Sequence, residues 1–265
     1  MNRSFSTEFV YQVFSLIISV IIVHAVYVSV IRPNAAAVQQ EQRIRIAEDP
    51  EYIPERSLVV IVQDFEQEAC FILMLWAFAI MGYKSLDALR ERGLLTKELV
   101  PVAEGVRILP EDTREYARQL QSLPDLQQGL LLPRTLLSAL QRFGATRNVQ
   151  DVSSATHTMM TSEAERLESE LSMIRYIAWA IPSIGFIGTV RGIGAALGLA
   201  HRAVDGDISG VTESLGVAFN STFIALIISI VLMFLVHQLQ LLQERLVFET
   251  EAYVDQRLIR HLQAA

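Results

Sequence analysis

The sequence has a single cysteine, Cys70, among its 265 residues. One cysteine excludes an internal disulfide and a cysteine-rich zinc site. Cys70 falls in an apolar run and is interpreted as a small buried residue. The chain also shows no Ser/His/Asp or Cys/His set, no metal-ligand spacing and no phosphate-binding loop. We therefore expect neither an enzyme nor a resident metal or cofactor.

Basic residues are also in short supply. There are 22 Lys and Arg residues against 29 Asp and Glu residues, which gives a net charge of −7 and a pI near 5.3. This balance provides no basic footprint for nucleic acid. Apolar residues are plentiful, at 51% with a mean hydropathy of +0.34, and the charged residues are concentrated between the apolar blocks. The composition predicts an all-α membrane protein with a soluble insert.

The first apolar block, residues 9–31, is long enough to cross a bilayer. We place the first transmembrane helix in residues 1–32 and expect Arg32-Pro33 to end it. The competing interpretation is a signal peptide cleaved near residues 35–37, where three alanines resemble a cleavage site. The length of the block favours an uncleaved span, and cleavage would leave three spans instead of four.

Residues 33–68 are polar and acidic and are predicted to form an exoplasmic loop. Pro50 and Pro54 interrupt it, and the apolar run at 58–62 is compatible with one helical turn or a short strand at the membrane surface. The simplest interpretation of its carboxylates, which include Glu66 and Glu68, is a solvated loop.

The second transmembrane helix is placed at residues 69–84, which is short for a span. It can extend upstream if Glu66 and Glu68 stay at the level of the lipid headgroups. Residues 85–172 are predicted to form a helical insert. Apolar spacing indicates helices over 113–123, 136–143 and 153–171, the last running directly into the next apolar block.

A helical hairpin over residues 176–237 follows, and the rest of the chain is organised around it. We place the third transmembrane helix at 173–200, a short exoplasmic turn at 201–211 and the fourth transmembrane helix within 212–265. The fourth helix continues into a tail whose apolar stripe predicts packing on the insert, with a coiled-coil partner as the alternative. The stripe consists of Leu239, Leu242, Leu246 and Tyr253.

Positive charge predicts the orientation. Lys and Arg residues are frequent between 84 and 166, whereas the turn of the hairpin carries only Arg202. Short loops rich in Lys and Arg stay in the cytoplasm. We therefore expect the insert and the C-terminal tail to be cytoplasmic, with either three or four spans.

The first arm of the hairpin carries small residues every three or four positions, and they share one side of a helix. These residues are Gly185, Gly188, Gly192 and Ala196. This side predicts close approach of another helix. Thr189 lies on or beside it, and Thr222 is a small polar residue in the middle of the second arm. Each threonine, taken alone, is compatible with a hydrogen bond to its own backbone.

Ion transport generally needs an ionisable group within the membrane. Neither arm offers a carboxylate at mid-depth, and the only charge inside is Arg191. Two interpretations of Arg191 remain open, a structural salt bridge and a role in a pore.

The hairpin motifs resemble a known family. The run from Gly185, Gly-Phe-Ile-Gly-Thr-Val-Arg-Gly-Ile, is similar to the Gly-Leu-hydrophobic-Gly-Thr-Val-x-Gly-Ile segment of ExbB and TolQ. The run from Ala218, Ala-Phe-Asn-Ser-Thr-Phe-Ile-Ala-Leu, is similar to their Ala-Leu-x-Ala-Thr-x-x-Gly-Leu and to the Val-Gly-Thr-Phe-Leu-Gly-Ile of MotA. Two motifs in this order in adjacent spans identify the chain as resembling the MotA/TolQ/ExbB proton channel family.

The resemblance implies a pentamer in the bacterial inner membrane, around two copies of a single-span partner of the MotB, TolR or ExbD type. In that family the partner carries the membrane aspartate, and ion flow past it drives movement across the envelope. By this resemblance Thr189, Thr222 and Asn220 line the ion path, and the small residues let the helices pack. The resemblance implies transported H⁺ or Na⁺ but does not separate the two, nor does it identify the driven process, for example flagellar rotation or protein transport.

The sequence departs from the family pattern at two positions. ExbB and TolQ carry a glutamate where Val217 aligns, and a hydrophobic or aromatic residue where Arg191 aligns. Two other function classes therefore remain open, a non-conducting membrane scaffold and a self-sufficient channel or transporter.

Overall fold

The computed structural model describes residues 2–49, 52, 57–102 and 105–263. Helices dominate this part of the chain, and no strand occurs in it beyond an isolated bridge between Ile108 and Leu262. Four helical stretches are long and apolar enough to cross a membrane; they span Thr7–Glu48, Phe65–Leu95, Val149–Gly198 and Ser209–His261. The prediction of an all-α protein with four membrane helices is confirmed.

The first helix does not end at Arg32-Pro33, which corrects the sequence prediction. Helix α1 (Asn2–Val26) continues through a π-helical turn (Tyr27–Ile31) into α2 (Arg32–Glu48). Pro33 stands in the first turn of α2, where a missing backbone N–H is tolerated. The π-helical turn just before it shifts the hydrogen-bond register. Much of the predicted loop is therefore helical.

The segment between the first two spans contains one helical turn, α3 (Leu58–Ile61), so the turn is present and the strand alternative is wrong. Helix α4 (Phe65–Leu95) begins upstream of the predicted span and includes Glu66 and Glu68 in its first turn. Several residues of the predicted loop lie outside the described residues: Pro50, Glu51, Ile53, Pro54, Glu55 and Arg56.

The chain divides into two compact units, Met1–Met81 with Met173–Val236, and Gly82–Ser172 with His237–Ala265. In the second unit the insert forms α5 (Thr113–Gln121), α6 (Asp125–Gln128), α7 (Leu131–Thr146) and α8 (Val149–Glu170). These confirm the helices predicted from apolar spacing.

The core of this second unit joins the insert to the C-terminal tail. Its buried apolar side chains include several from α7, α8 and the tail: Leu136, Leu140, Phe143, Val152, Val254 and Leu258. The Tyr253 hydroxyl accepts a hydrogen bond from the Leu99 N–H and donates one to the Lys97 carbonyl, both at 3.0 Å. The predicted packing of the tail on the insert is confirmed.

The hairpin belongs to the first unit for most of its length. Its first arm is α9 (Ser172–Gly198), its second is the first part of α11 (Ser209–Arg257), and the short α10 (Ala200–Val204) lies between them. Gly206 lies in the turn and has a φ of 95°. A residue with a side chain would adopt this backbone conformation only with strain. The Asp207 side chain then accepts hydrogen bonds from Ser209 at the start of α11.

Candidate functional site

The small residues of α9 bring the two arms into backbone contact. Gly185, Gly188, Gly192 and Ala196 are all buried on one side of α9. A Cβ on Gly185 would lie 2.5 Å from the Ala225 Cβ, and a Cβ on Gly192 would lie 2.7 Å from the Ala218 N and 2.8 Å from the Ser214 O. A Cβ atom does not approach a non-bonded heavy atom this closely. The arms therefore pack this closely because these positions lack side chains.

Thr189 and Thr222 meet in the middle of this contact. Their hydroxyls hydrogen-bond to each other. Each also bonds across the hairpin to a backbone carbonyl, Thr189 to the Ala218 O at 3.0 Å and Thr222 to the Gly185 O at 3.1 Å. The Gly185 O is also 3.3 Å from the Thr189 hydroxyl. The two side chains thus form a reciprocal pair that links the arms.

This pair has fewer hydrogens than acceptors. Each hydroxyl has one hydrogen to donate and two lone pairs that accept. The acceptors within reach are the two carbonyls and the two hydroxyl oxygens themselves. Each hydroxyl can therefore redirect its hydrogen by rotating, without moving its carbon skeleton. Both side chains are half-buried.

Asn220 is not part of this pair. It lies two residues before Thr222 on α11, which places it about 200° around the helix. Its side chain is half-buried. Asn220 and Thr222 therefore lie on different sides of α11. That Asn220 lines the ion path stays a prediction.

Arg191 forms the salt bridge that was one of its two sequence interpretations. Its Nε lies 2.7 Å from the Glu66 Oε1 and its Nη2 lies 2.7 Å from the Glu66 Oε2. Asp64, just before α4, is 3.8 Å from the same guanidinium. Burial raises the pKa of Asp64, with the Arg191 charge acting in the opposite direction.

The hairpin also lies within a recognisable family region. Residues 128–252 match the model of the MotA/TolQ/ExbB proton channel family. The matched region includes the whole hairpin. The resemblance based on the hairpin motifs is thereby confirmed. No curated protein and no solved structure gives a significant match.

The family match implies a membrane proton channel-type subunit of motor complexes. MotA/TolQ/ExbB proteins are channel or stator subunits and typically work with a partner of the MotB, ExbD or TolR type. The matched region includes Thr189 and Thr222. The first two membrane-spanning stretches, which contain α1, α2 and α4, lie outside it.

A polar cluster on these two outlying helices was missed by sequence reasoning. Glu68 is 2.6 Å from the His24 Nδ1 and 2.5 Å from the Arg32 Nη2, and only 8% of its side chain is exposed. The Arg32 guanidinium also lies 4.4 Å from the centre of the Phe65 ring. The interpretation of Glu66 and Glu68 as solvated loop carboxylates is wrong, because helices of the same unit supply the cations that pair with them. The available sequence signal was a histidine and an arginine near the end of the first apolar block, His24 and Arg32.

Proposed function

We propose that this chain is the channel-forming subunit of an ion-driven motor in the bacterial inner membrane. Five copies would surround two copies of a single-span MotB/ExbD/TolR-like partner, which supplies the membrane aspartate. The ion path would run past Thr189 and Thr222, with H⁺ or Na⁺ as the transported ion. The reciprocal pair of threonine hydroxyls within the family region is the observation that carries this proposal.

The pair has the chemistry that a cation path needs. Hydroxyl oxygens replace part of the hydration shell of an ion, and hydroxyls that can redirect their hydrogens can also hand on a proton. Neither arm of the hairpin carries a carboxylate near the pair. We therefore assign the ionisable group in the membrane to another chain, and the family's partner aspartate is such a group.

The surfaces of the hairpin support assembly within a membrane. Large apolar side chains project from both arms and are more than half exposed in the single chain: Phe186, Ile187 and Val190 on α9, and Phe219, Phe223 and Ile230 on α11. Lipid, further copies and a partner helix are the natural occupants of such surfaces in a membrane subunit. The positive residues of the insert favour a cytoplasmic insert and tail.

One observation favours a different function class. Both threonine hydroxyls already bond to backbone carbonyls of the opposite arm, which is enough to explain them as a structural link. A membrane scaffold that assembles a partner complex without conducting ions is therefore the second candidate.

Ion flux through reconstituted complexes separates the two candidates. The complex of this chain with its single-span partner is placed in liposomes, and H⁺ or Na⁺ uptake is measured under an imposed gradient. Thr189→Val and Thr222→Val remove a hydroxyl at nearly constant volume and are expected to lower uptake at least about tenfold. Thr189→Ser and Thr222→Ser keep the hydroxyl and should retain most of it.

Thr212→Val is the matched control. Thr212 is exposed near the start of α11 and bonds only to the Ile208 carbonyl, at 3.0 Å, so its loss should not alter uptake. Size-exclusion chromatography checks that every variant assembles. If both valine variants assemble and conduct normally, the ion-path proposal is wrong and the scaffold takes its place.

A further inference from the structure

The side-chain stem of Glu66, which lies outside the family region, packs against the hairpin at Gly188, the residue before Thr189. The Cγ of Glu66 is 3.2 Å from the position that a Cβ on Gly188 would occupy, and the Ser221 Oγ is 2.6 Å from that position on the other side. Gly188 directly precedes Thr189, and Ser221 directly precedes Thr222. The missing side chain at position 188 therefore admits the stem of Glu66 beside the pair.

The charges around this contact do not cancel. Glu66 holds the Arg191 guanidinium through two contacts of 2.7 Å, a bidentate geometry that neutralises one positive charge with one negative charge. Asp64 adds a second carboxylate at 3.8 Å. Only 12% of the Glu66 side chain and 18% of the Asp64 side chain are exposed. One positive and two negative groups leave a formal charge of about −1 when all three are ionised.

We propose that Asp64, Glu66 and Arg191, here called the charged triad, attract cations to the threonine pair and repel anions. The inference rests on the proposed ion path and adds the residues that select the sign of the ion. Charge held at the edge of a low-dielectric region acts over a long range, because little water screens it. Rings of carboxylates select cations in other channels by the same physics. The triad also accounts for Arg191, since Glu66 on α4 and Asp64 just before α4 supply the negative charges that offset it.

The local charge can be measured without ion flux. Thr189→Cys places a thiol at the pair, and the complex of this variant with the single-span partner is reconstituted in liposomes. The rate of thiol modification is measured with two methanethiosulfonate reagents of similar size, one carrying a trimethylammonium group and the other a sulfonate. The ratio of the two rates reports the local potential. Cys70 is fully buried, and the chain without the added cysteine provides its background.

Removing a negative charge from the triad and removing its positive charge should change the rate ratio in opposite directions. Glu66→Gln removes a negative charge and should lower the cation-to-anion rate ratio about tenfold, whereas Arg191→Gln removes the positive charge and should raise it by a similar factor. If the salt bridge is only structural, either substitution should disrupt the site in the same way. The rate ratio should then shift in the same direction for both variants. Asp207→Asn is the matched control, because Asp207 pairs with Arg202 in the turn and its loss should change the ratio less than about twofold.

The outcomes separate this inference from the proposed function. A reactive cysteine whose rate ratio is unmoved by Glu66→Gln and Arg191→Gln, or moved in one direction by both, overturns the charged triad and leaves the ion path intact. A cysteine that neither reagent modifies shows that no aqueous path reaches Thr189. That result overturns the ion path, and the triad with it.

Discussion

Gly192→Ala should lower the free energy of unfolding of the hairpin, because the opposite arm occupies the space that the added methyl group needs. A Cβ at this position would meet the Ala218 N at 2.7 Å and the Ser214 O at 2.8 Å, and both are backbone atoms that cannot rotate away. The arms must separate, which also stretches the Thr189 bond to the Ala218 carbonyl. Overpacking of this kind costs about 1–3 kcal/mol. The higher helix propensity of alanine relative to glycine offsets up to about 1 kcal/mol of this cost. We expect a net loss of about 1–2 kcal/mol.

Gly194→Ala on the same helix is the matched control. A Cβ there would meet nothing within 4 Å, so the change should be neutral or stabilise the chain by up to about 1 kcal/mol. Gly216→Ala tests the same point on the second arm, where the space is also open. The assay is unfolding by dodecyl sulfate titration in mixed micelles. Equal stability of the Gly192 and Gly194 variants would refute the close packing of the arms.

Two further predictions concern the second unit. Lys84 is buried, with 4% of its side chain exposed, and pairs with Glu170 at 2.8 Å. Lys84→Met should cost about 1–2 kcal/mol in the same titration, because it removes a hydrogen bond between charged groups while Arg166 still pairs with the other oxygen of Glu170 at 2.6 Å. Lys84→Met combined with Glu170→Met should cost less than the sum of the two single changes, and strictly additive losses would contradict the pairing. Tyr253→Phe removes the two hydrogen bonds to Leu99 and Lys97 and should cost about 1–2 kcal/mol. Hydrogen exchange at the Leu99 amide should accelerate, and an unchanged rate would contradict the contact.

The hairpin was largely predictable from sequence because its packing is local and periodic. Glycines at every third or fourth position indicate one small-residue side of a helix, and the structure packs that side against Ala218, Ser221 and Ala225. What the spacing does not contain is the partner of each hydroxyl. That Thr189 and Thr222 bond to each other and to carbonyls of the opposite arm depends on the register between the arms.

The helices before the insert were predicted less well, for two physical reasons. Proline ends most helices, but Pro33 follows a π-helical turn and stands where its missing N–H costs little. Carboxylates usually stay in water, but Glu66 and Glu68 are paired with Arg191, Arg32 and His24. The ion pairs join residues that are distant in sequence, which a sequence window does not contain.

Native mass spectrometry in mild detergent tests the central claim most directly. The chain is purified alone and together with a co-expressed single-span protein that carries a membrane aspartate. The account predicts five copies of this chain, joined by two copies of the partner. A monomer or dimer that ignores the partner would contradict the motor-subunit assembly and the ion path proposed within it.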